Sequence, residues 1–192
     1  MQRLKHGLIV ISSRSARLIV TSYVALLRAV NVGGTGKLPM SDLREMASGL
    51  GLTNVRTFIA SGNLLFDSPL SENAVKAMLE APLADYAGKS LPVYVRSAAE
   101  MAAVHAANPF PDAHGSRLMV FFRDVPPPAD LLAQVRDQQG ERLSLGVREI
   151  YVDYGDGIRD TKLKIPGSNK GTGRNMNSVA KLAAMANQGA SF

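Results

Sequence analysis

The stretch Tyr23-Val-Ala-Leu-Leu-Arg-Ala-Val-Asn-Val-Gly-Gly-Thr-Gly-Lys37 decides how the chain is read. It belongs to a nearly continuous apolar run, residues 18–30, rich in Val, Ile and Leu. Such a run predicts a strand covered on both faces. The strand breaks at Gly33, Gly34 and Gly36 and delivers Lys37 just ahead of a helix. Amides free of side-chain bulk with a cation beside them suit an anion. The turn is not a Walker A loop: Asn31 stands where that motif needs glycine, and Leu38 where it needs a Mg²⁺-binding hydroxyl. The plain alternative is that the glycines only permit a tight strand-to-helix crossing. Arg28, a charge inside the apolar run, must pair or turn its guanidinium into a cleft.

Working outward, Ser41 is the expected N-cap of the first helix, with Asp42 against its dipole. Leu43, Met46, Ala47 and Leu50 recur at helical spacing, and Gly51 stops the helix. Residues 54–60 and 64–66 are β-rich and joined at Ser61-Gly62-Asn63, a hairpin turn. Ser71 caps a second helix, which Pro82 is expected to break or kink, leaving Leu83 and Tyr86 on a short second piece. Residues 91–96 alternate as a strand. This order completes a ferredoxin-like βαββαβ unit.

The second half nearly repeats it. Residues 97–107 make a connecting helix, 117–123 an apolar strand, and Pro126-Pro127-Pro128 leads into a helix with Leu131, Leu132 and Val135. Short strands at 143–145 and 149–153 flank Gly146, and a long loop spans 155–173. A helix bearing Val179, Leu182, Ala183 and Ala186 closes the chain. The expected fold class is therefore α+β, with two ferredoxin-like subdomains in tandem, βαββαβ and βαββα. The expected division is an extension at 1–17, a first subdomain at 18–96 and a second at 97–192.

The formal charge of +6 is uneven. Residues 1–20 carry four bases and no acid; residues 157–181 carry six bases against Asp160; the span 21–156 is net acidic at −3. Local basicity suits a partner with one or two phosphates better than a long duplex. Without cysteine, disulfides and cysteine-ligated metal sites are excluded. No run approaches the ~18 apolar residues of a membrane span, and Arg14 and Arg17 stand where a signal peptide would need a small-residue cleavage site. The expectation is a cytoplasmic protein with no membrane partner.

Gly171-Thr-Gly-Arg-Asn-Met-Asn-Ser-Val-Ala-Lys181 repeats the glycine-then-helix arrangement. If the helix starts here, Arg174, Asn177 and Lys181 fall at i, i+3 and i+7 on one polar stripe. A basic first turn opposes the helix dipole, and an anion held by Arg174 and free amides would relieve the conflict. The alternative is a solvated face with Asn175 as N-cap. His6, His105 and His114 belong to no metal-ligand cluster, no paired carboxylates stand at a suggestive spacing, and no cofactor motif appears. The aromatic signature of an RNA-binding sheet is missing as well.

Three sets of residues together resemble the bacterial family named domain of unknown function 1697. They are Tyr23 to Gly34 with Leu38-Pro39-Met40 and Leu43; Asn54-Val-Arg-Thr57 with Ile59-Ala-Ser-Gly-Asn63; and Gly171 to Leu182. The resemblance covers residues 20–187. Family members often carry Gly where Ala29 stands and Trp where Met176 stands. The resemblance implies an α+β fold of two ferredoxin-like halves and no particular activity.

The leading expectation is a binding site for a small anionic or phosphorylated ligand, a nucleotide among the candidates, in a cleft between the halves. Its expected lining is Arg28, Asn31, Gly33, Gly34, Lys37, Ser61, Gly62, Asn63, Arg174, Asn175, Asn177 and Lys181. A group- or phosphoryl-transfer enzyme and a nucleic-acid-binding module using residues 157–181 remain open beside it, as does the oligomeric state. No catalytic residue, metal or cofactor is assigned.

Overall fold

The computed structural model describes residues 19–28, 30, 38–157 and 159–188. The extension and the first glycine turn, with Asn31, Gly33, Gly34 and Lys37, lie outside the described residues. The first sheet comprises β1 (Thr21–Leu27), β2 (Thr53–Phe58), β3 (Asn63–Ser68) and β4 (Val93–Ser97). Helices α1 (Met40–Gly49) and α2 (Glu72–Ala87) alternate with these strands, and α3 (Ala98–Ala106) follows β4 directly. The second sheet comprises β5 (Leu118–Phe122), β6 (Arg142–Leu145), β7 (Glu149–Asp153) and β8 (Thr172–Asn175), and α4 (Met176–Asn187) closes it. The architecture is α+β, with two four-stranded antiparallel sheets and four α-helices among the described residues.

Both sheets have the same order. The first runs β2-β3-β1-β4 and the second β6-β7-β5-β8, so each half's opening strand lies between its third and fourth. Strand β1 is covered on both faces, as its unbroken apolar run predicts. Ala25 and Leu27 pack with Leu43, Val75, Leu79 and Leu83 from α1 and α2. Val24 and Leu26 face the other way, into a core shared with α3, α4 and the second sheet through Met101, Val104, Val120, Phe122, Val179 and Leu182. The outer face of the second sheet has a smaller cluster around Leu131, Ile150, Val152 and Ile165.

Several expectations need correction. Helix α1 begins after Pro39, not at a Ser41 cap; the Ser41 hydroxyl donates to the Asp42 carboxylate instead. Pro82 lies inside an unbroken α2, where buried Val75, Leu79 and Leu83 hold the helix to the sheet on both sides of it. The helix expected after Pro128 is a single 3₁₀ turn, Leu131–Gln134, with only Leu131 buried. The second half does not lack its last strand: residues 172–175 pair with β5 over Met119–Phe122 as β8, so the βαββα pattern is not what forms.

Candidate functional site

Part of the expected cluster converges where β8 meets the β2–β3 hairpin. Gly62 turns the hairpin at φ +77, and a Cβ there would stand 2.9 Å from the Leu27 Cβ. Its carbonyl accepts from the Leu27 amide at 2.8 Å, which ties the turn to the end of β1. Asn63 is fully buried, and its amide group donates to the Phe58 carbonyl at 2.9 Å and the Ser61 hydroxyl at 3.0 Å. That leaves the Asn63 side-chain oxygen free to accept from Arg174 Nε at 2.5 Å.

Arg174 is not the helix-start anion holder its sequence position suggested. It lies on β8, points into the shared core and is buried. Nη1 donates to the Thr172 hydroxyl (2.9 Å) and the Gly173 carbonyl (2.8 Å); Nη2 donates to the Leu27 and Ser61 carbonyls (both 2.9 Å) and the Gly62 carbonyl (3.3 Å). With five N–H groups so engaged, the guanidinium has no donor left for a ligand. It clamps the second half onto the first. Burial lowers its pKa to about 10, and no carboxylate is bonded to it among the described residues.

The other expected residues separate. Asn175 is the N-cap of α4, its side chain accepting from the Ser178 amide at 2.9 Å. Asn177 and Lys181 lie exposed on α4 opposite Val179 and Leu182, and Asn177 packs against Gly115. Arg28 follows β1 directly; its amide donates to the Pro92 carbonyl at 3.0 Å, and its half-buried side chain makes no hydrogen bond or ion pair among the described residues. Burial, then Asp124, raises the Tyr94 hydroxyl, while Arg28 and Lys76 pull it down, so these charges share one neighbourhood. Of the basic residues in 157–181, Arg174 is buried and Lys164 is paired with Asp137 at 2.7 Å, which thins the surface available to nucleic acid.

A second clamp, absent from the sequence reading, mirrors the first. Arg96, on β4, donates from Nε to Glu149 at 2.9 Å and from Nη1 to the Val95 carbonyl at 2.7 Å. Its Nη2 reaches the Arg123 and Arg148 carbonyls at 2.7 and 3.3 Å. The correspondence runs atom by atom. Each arginine sits just before a helix N-cap, Ser97 or Asn175, on the fourth strand of its half. Each bonds the preceding carbonyl, the end of the other half's opening strand, the other half's hairpin turn and the side chain that opens its third strand. The Arg123 amide donates to the Arg148 carbonyl at 2.9 Å, as Leu27 does to Gly62. The halves differ in one respect: Arg96 faces a carboxylate, Arg174 a neutral amide. A signal was present in the sequence, since Arg96 and Arg123 each close an apolar strand run, just as Arg28 does.

Around Glu149 each charged group has a partner of opposite sign. Arg148 bonds Glu72 at 2.6 and 3.0 Å and Glu100 at 2.7 Å, which raises the Arg148 guanidinium. A cleft of about 360 Å³ opens there, lined by Ala103, Val104, Leu145, Val147 and Tyr151 beside these ion pairs. No group of three or more metal-ligating side chains occurs among the described residues.

A family model described as a protein of unknown function, DUF1697, matches residues 20–151. The chain belongs to the DUF1697 family. The match takes in the whole first sheet and ends inside β7, so β8 and α4 lie beyond it. A solved structure, the conserved bacterial protein SP0830 from Streptococcus pneumoniae, superposes with a TM-score of 0.74 at 24% identity. The alignment covers 88% of this DUF1697 chain and 99% of that one, which shows a common fold. A search of curated proteins gives no match. No helix among the described residues is long and apolar enough to cross a membrane.

Proposed function

We propose that this protein binds a small anionic ligand, of the phosphate or carboxylate class, at the seam between its halves on the Arg174 side. One observation carries the reading: the buried Arg174 charge has no carboxylate partner among the described residues, whereas its counterpart Arg96 has Glu149. A buried cation without a counterion leaves a positive field that a low-dielectric surround screens poorly. Arg174 supplies that field and no hydrogen bond. Arg28 is the direct donor, being half-buried and without a described partner at the end of β1. Gly33, Gly34 and Lys37, which follow it in sequence, lie outside the described residues and carry no part of this reading.

We also read each half as a ferredoxin-like unit, divided at 96/97, because opening strands flanked by the third and fourth strands recur in both sheets. That reading fixes where the seam lies and says nothing of chemistry.

The test is a panel of nucleotides and sugar phosphates scored by thermal shift. A ligand at about 100 times its dissociation constant adds ~2.7 kcal/mol and raises the midpoint by roughly 5–10 °C at this size. Arg28→Ala is expected to reduce the shift while leaving the unliganded midpoint close to wild type. A panel with no response, or the same response in Arg28→Ala, would remove the seam site.

A further inference from the structure

Arg123 stands apart from both clamps. Alternate residues of a strand share a face, so Met119, Phe121 and Arg123 lie on the outer face of the second sheet, while Val120 and Phe122 belong to the shared core. Arg123 is 7% exposed, and neither its Nε nor its Nη1 has a hydrogen-bond partner among the described residues. It forms no ion pair there either: neighbouring Asp124 is bonded to Lys76 at 2.5 Å. Buried guanidinium N–H groups almost always find acceptors.

The segment above it is shaped to lie close. Gly167 has φ +68 and opens the 3₁₀ turn Ser168–Lys170. A Cβ on Gly167 would stand 3.7 Å from Arg123 Nη1 and 3.8 Å from Lys170 Cδ, so the guanidinium and the lysine stem flank one point. A Cβ on Gly171 would stand 2.6 Å from the Phe122 carbonyl oxygen and 3.5 Å from Arg123 Cγ; only glycine lets the segment rest on Arg123 this way. The Ser168 and Lys170 amides are taken by the Ile165 and Gly167 carbonyls. The Asn169 amide between them makes no hydrogen bond among the described residues. A buried guanidinium with unpartnered N–H groups thus stands beside the Lys170 stem and a turn whose Asn169 amide is free, and no carboxylate is bonded to either residue among the described residues.

The geometry points to a seat for a phosphate-class oxyanion, free or as a phosphomonoester, formed by Arg123, Lys170 and the turn of residues 167–171. Donors arriving from a planar guanidinium, an ammonium and a backbone amide match several oxygens on one tetrahedral group. A cleft of about 440 Å³ begins at Ile165 and Pro166, the residues leading into the turn, and gives the organic part of a monoester somewhere to lie. This seat is on the face of the second sheet opposite Arg174, so it does not depend on the seam site.

The experiment uses the full chain and measures its thermal midpoint in inorganic phosphate against chloride of equal ionic strength, then in a simple sugar phosphate. At about 100 times the dissociation constant the wild-type midpoint is expected to rise by roughly 5–10 °C. The rise is read in Arg28→Ala, which lacks the seam donor: it persists there and is lost when Arg123→Met is added. A larger rise with the sugar phosphate identifies the monoester as the occupant, and an equal one the phosphate group alone. No rise in the wild type, or one that persists in the Arg28→Ala/Arg123→Met double variant, overturns the proposal. If Arg123→Met does not fold, Lys170→Ala decides: a reduced rise upholds the seat, and an undiminished one sinks it.

Discussion

The two clamp arginines make the same bonds to opposite halves, so the difference between their partners becomes a measurable energy. Arg96→Met strands the buried Glu149 carboxylate, and breaking a buried ion pair from one side costs about 3–5 kcal/mol. Arg174→Met strands only neutral acceptors and also removes a desolvated charge, so its cost should be nearer 2–3 kcal/mol. Chemical denaturation of the two variants should rank them in that order. Equal costs would mean that Glu149 is not held as the geometry indicates. Glu141 gives the acid-side counterpart. The Thr161 hydroxyl first, then the Gln139 and Gly140 amides, hold its carboxyl down at about 2, below its ordinary 4.5. A group depressed in the folded state stabilises fully above its unfolded pKa and loses that contribution as pH falls through the folded one. Between pH 4.5 and about 2, wild-type stability should therefore fall more steeply than that of Glu141→Gln, which starts from a lower plateau.

At the scale of elements, the hairpin that seats Arg174 depends on one glycine. Gly62→Ala adds a left-handed conformational penalty of ~1–2 kcal/mol and pushes a methyl to 2.9 Å from the Leu27 Cβ. Gly155→Ala, at φ +50 with open space around it, carries the conformational term alone. Denaturation midpoints should separate the two, with Gly62→Ala the worse. Ser97→Ala should cost about 1 kcal/mol, because it removes the capping box with Glu100 that starts α3 beside the Arg96 clamp. The same elements show what the sequence could disclose. Strand β1 and the hairpin turn were legible because apolar continuity and a Ser-Gly-Asn turn are local properties. Strand β8 was not. A glycine inside a four-residue strand argues against the strand on propensity, and only the packing explains it: a Cβ on Gly173 would meet Phe121 and Met119 at 3.1–3.3 Å. Read as helical, Arg174 falls on a polar stripe and reaches for an anion, whereas strand alternation turns it into the shared core. The Arg96 clamp was hidden for a related reason, since its partners in the second half lie 27 to 53 residues away.

At the scale of the molecule, the two sheets repeat one strand order and share a core between their inner faces. Val24, Leu26, Leu65 and Tyr94 of the first sheet are buried against residues of α3, α4 and the second sheet. Cutting the chain at 96/97 would expose them all, along with both arginines' acceptors. At roughly 1.5–3 kcal/mol for each large apolar side chain returned to water, those four alone approach the ~5–15 kcal/mol that stabilises a typical domain. The halves should therefore unfold together. Hydrogen exchange offers the direct check, because amides in β1–β3 and in β5–β7 would report the same opening free energy if the transition is single. Should the second sheet exchange at lower denaturant than the first, the shared core would be a docking surface between two independent domains. The Arg96 and Arg174 clamps would then set how tightly they dock. In that case Arg96→Met would widen the gap between the two sheets' exchange. In a single cooperative unit it lowers both by the same amount.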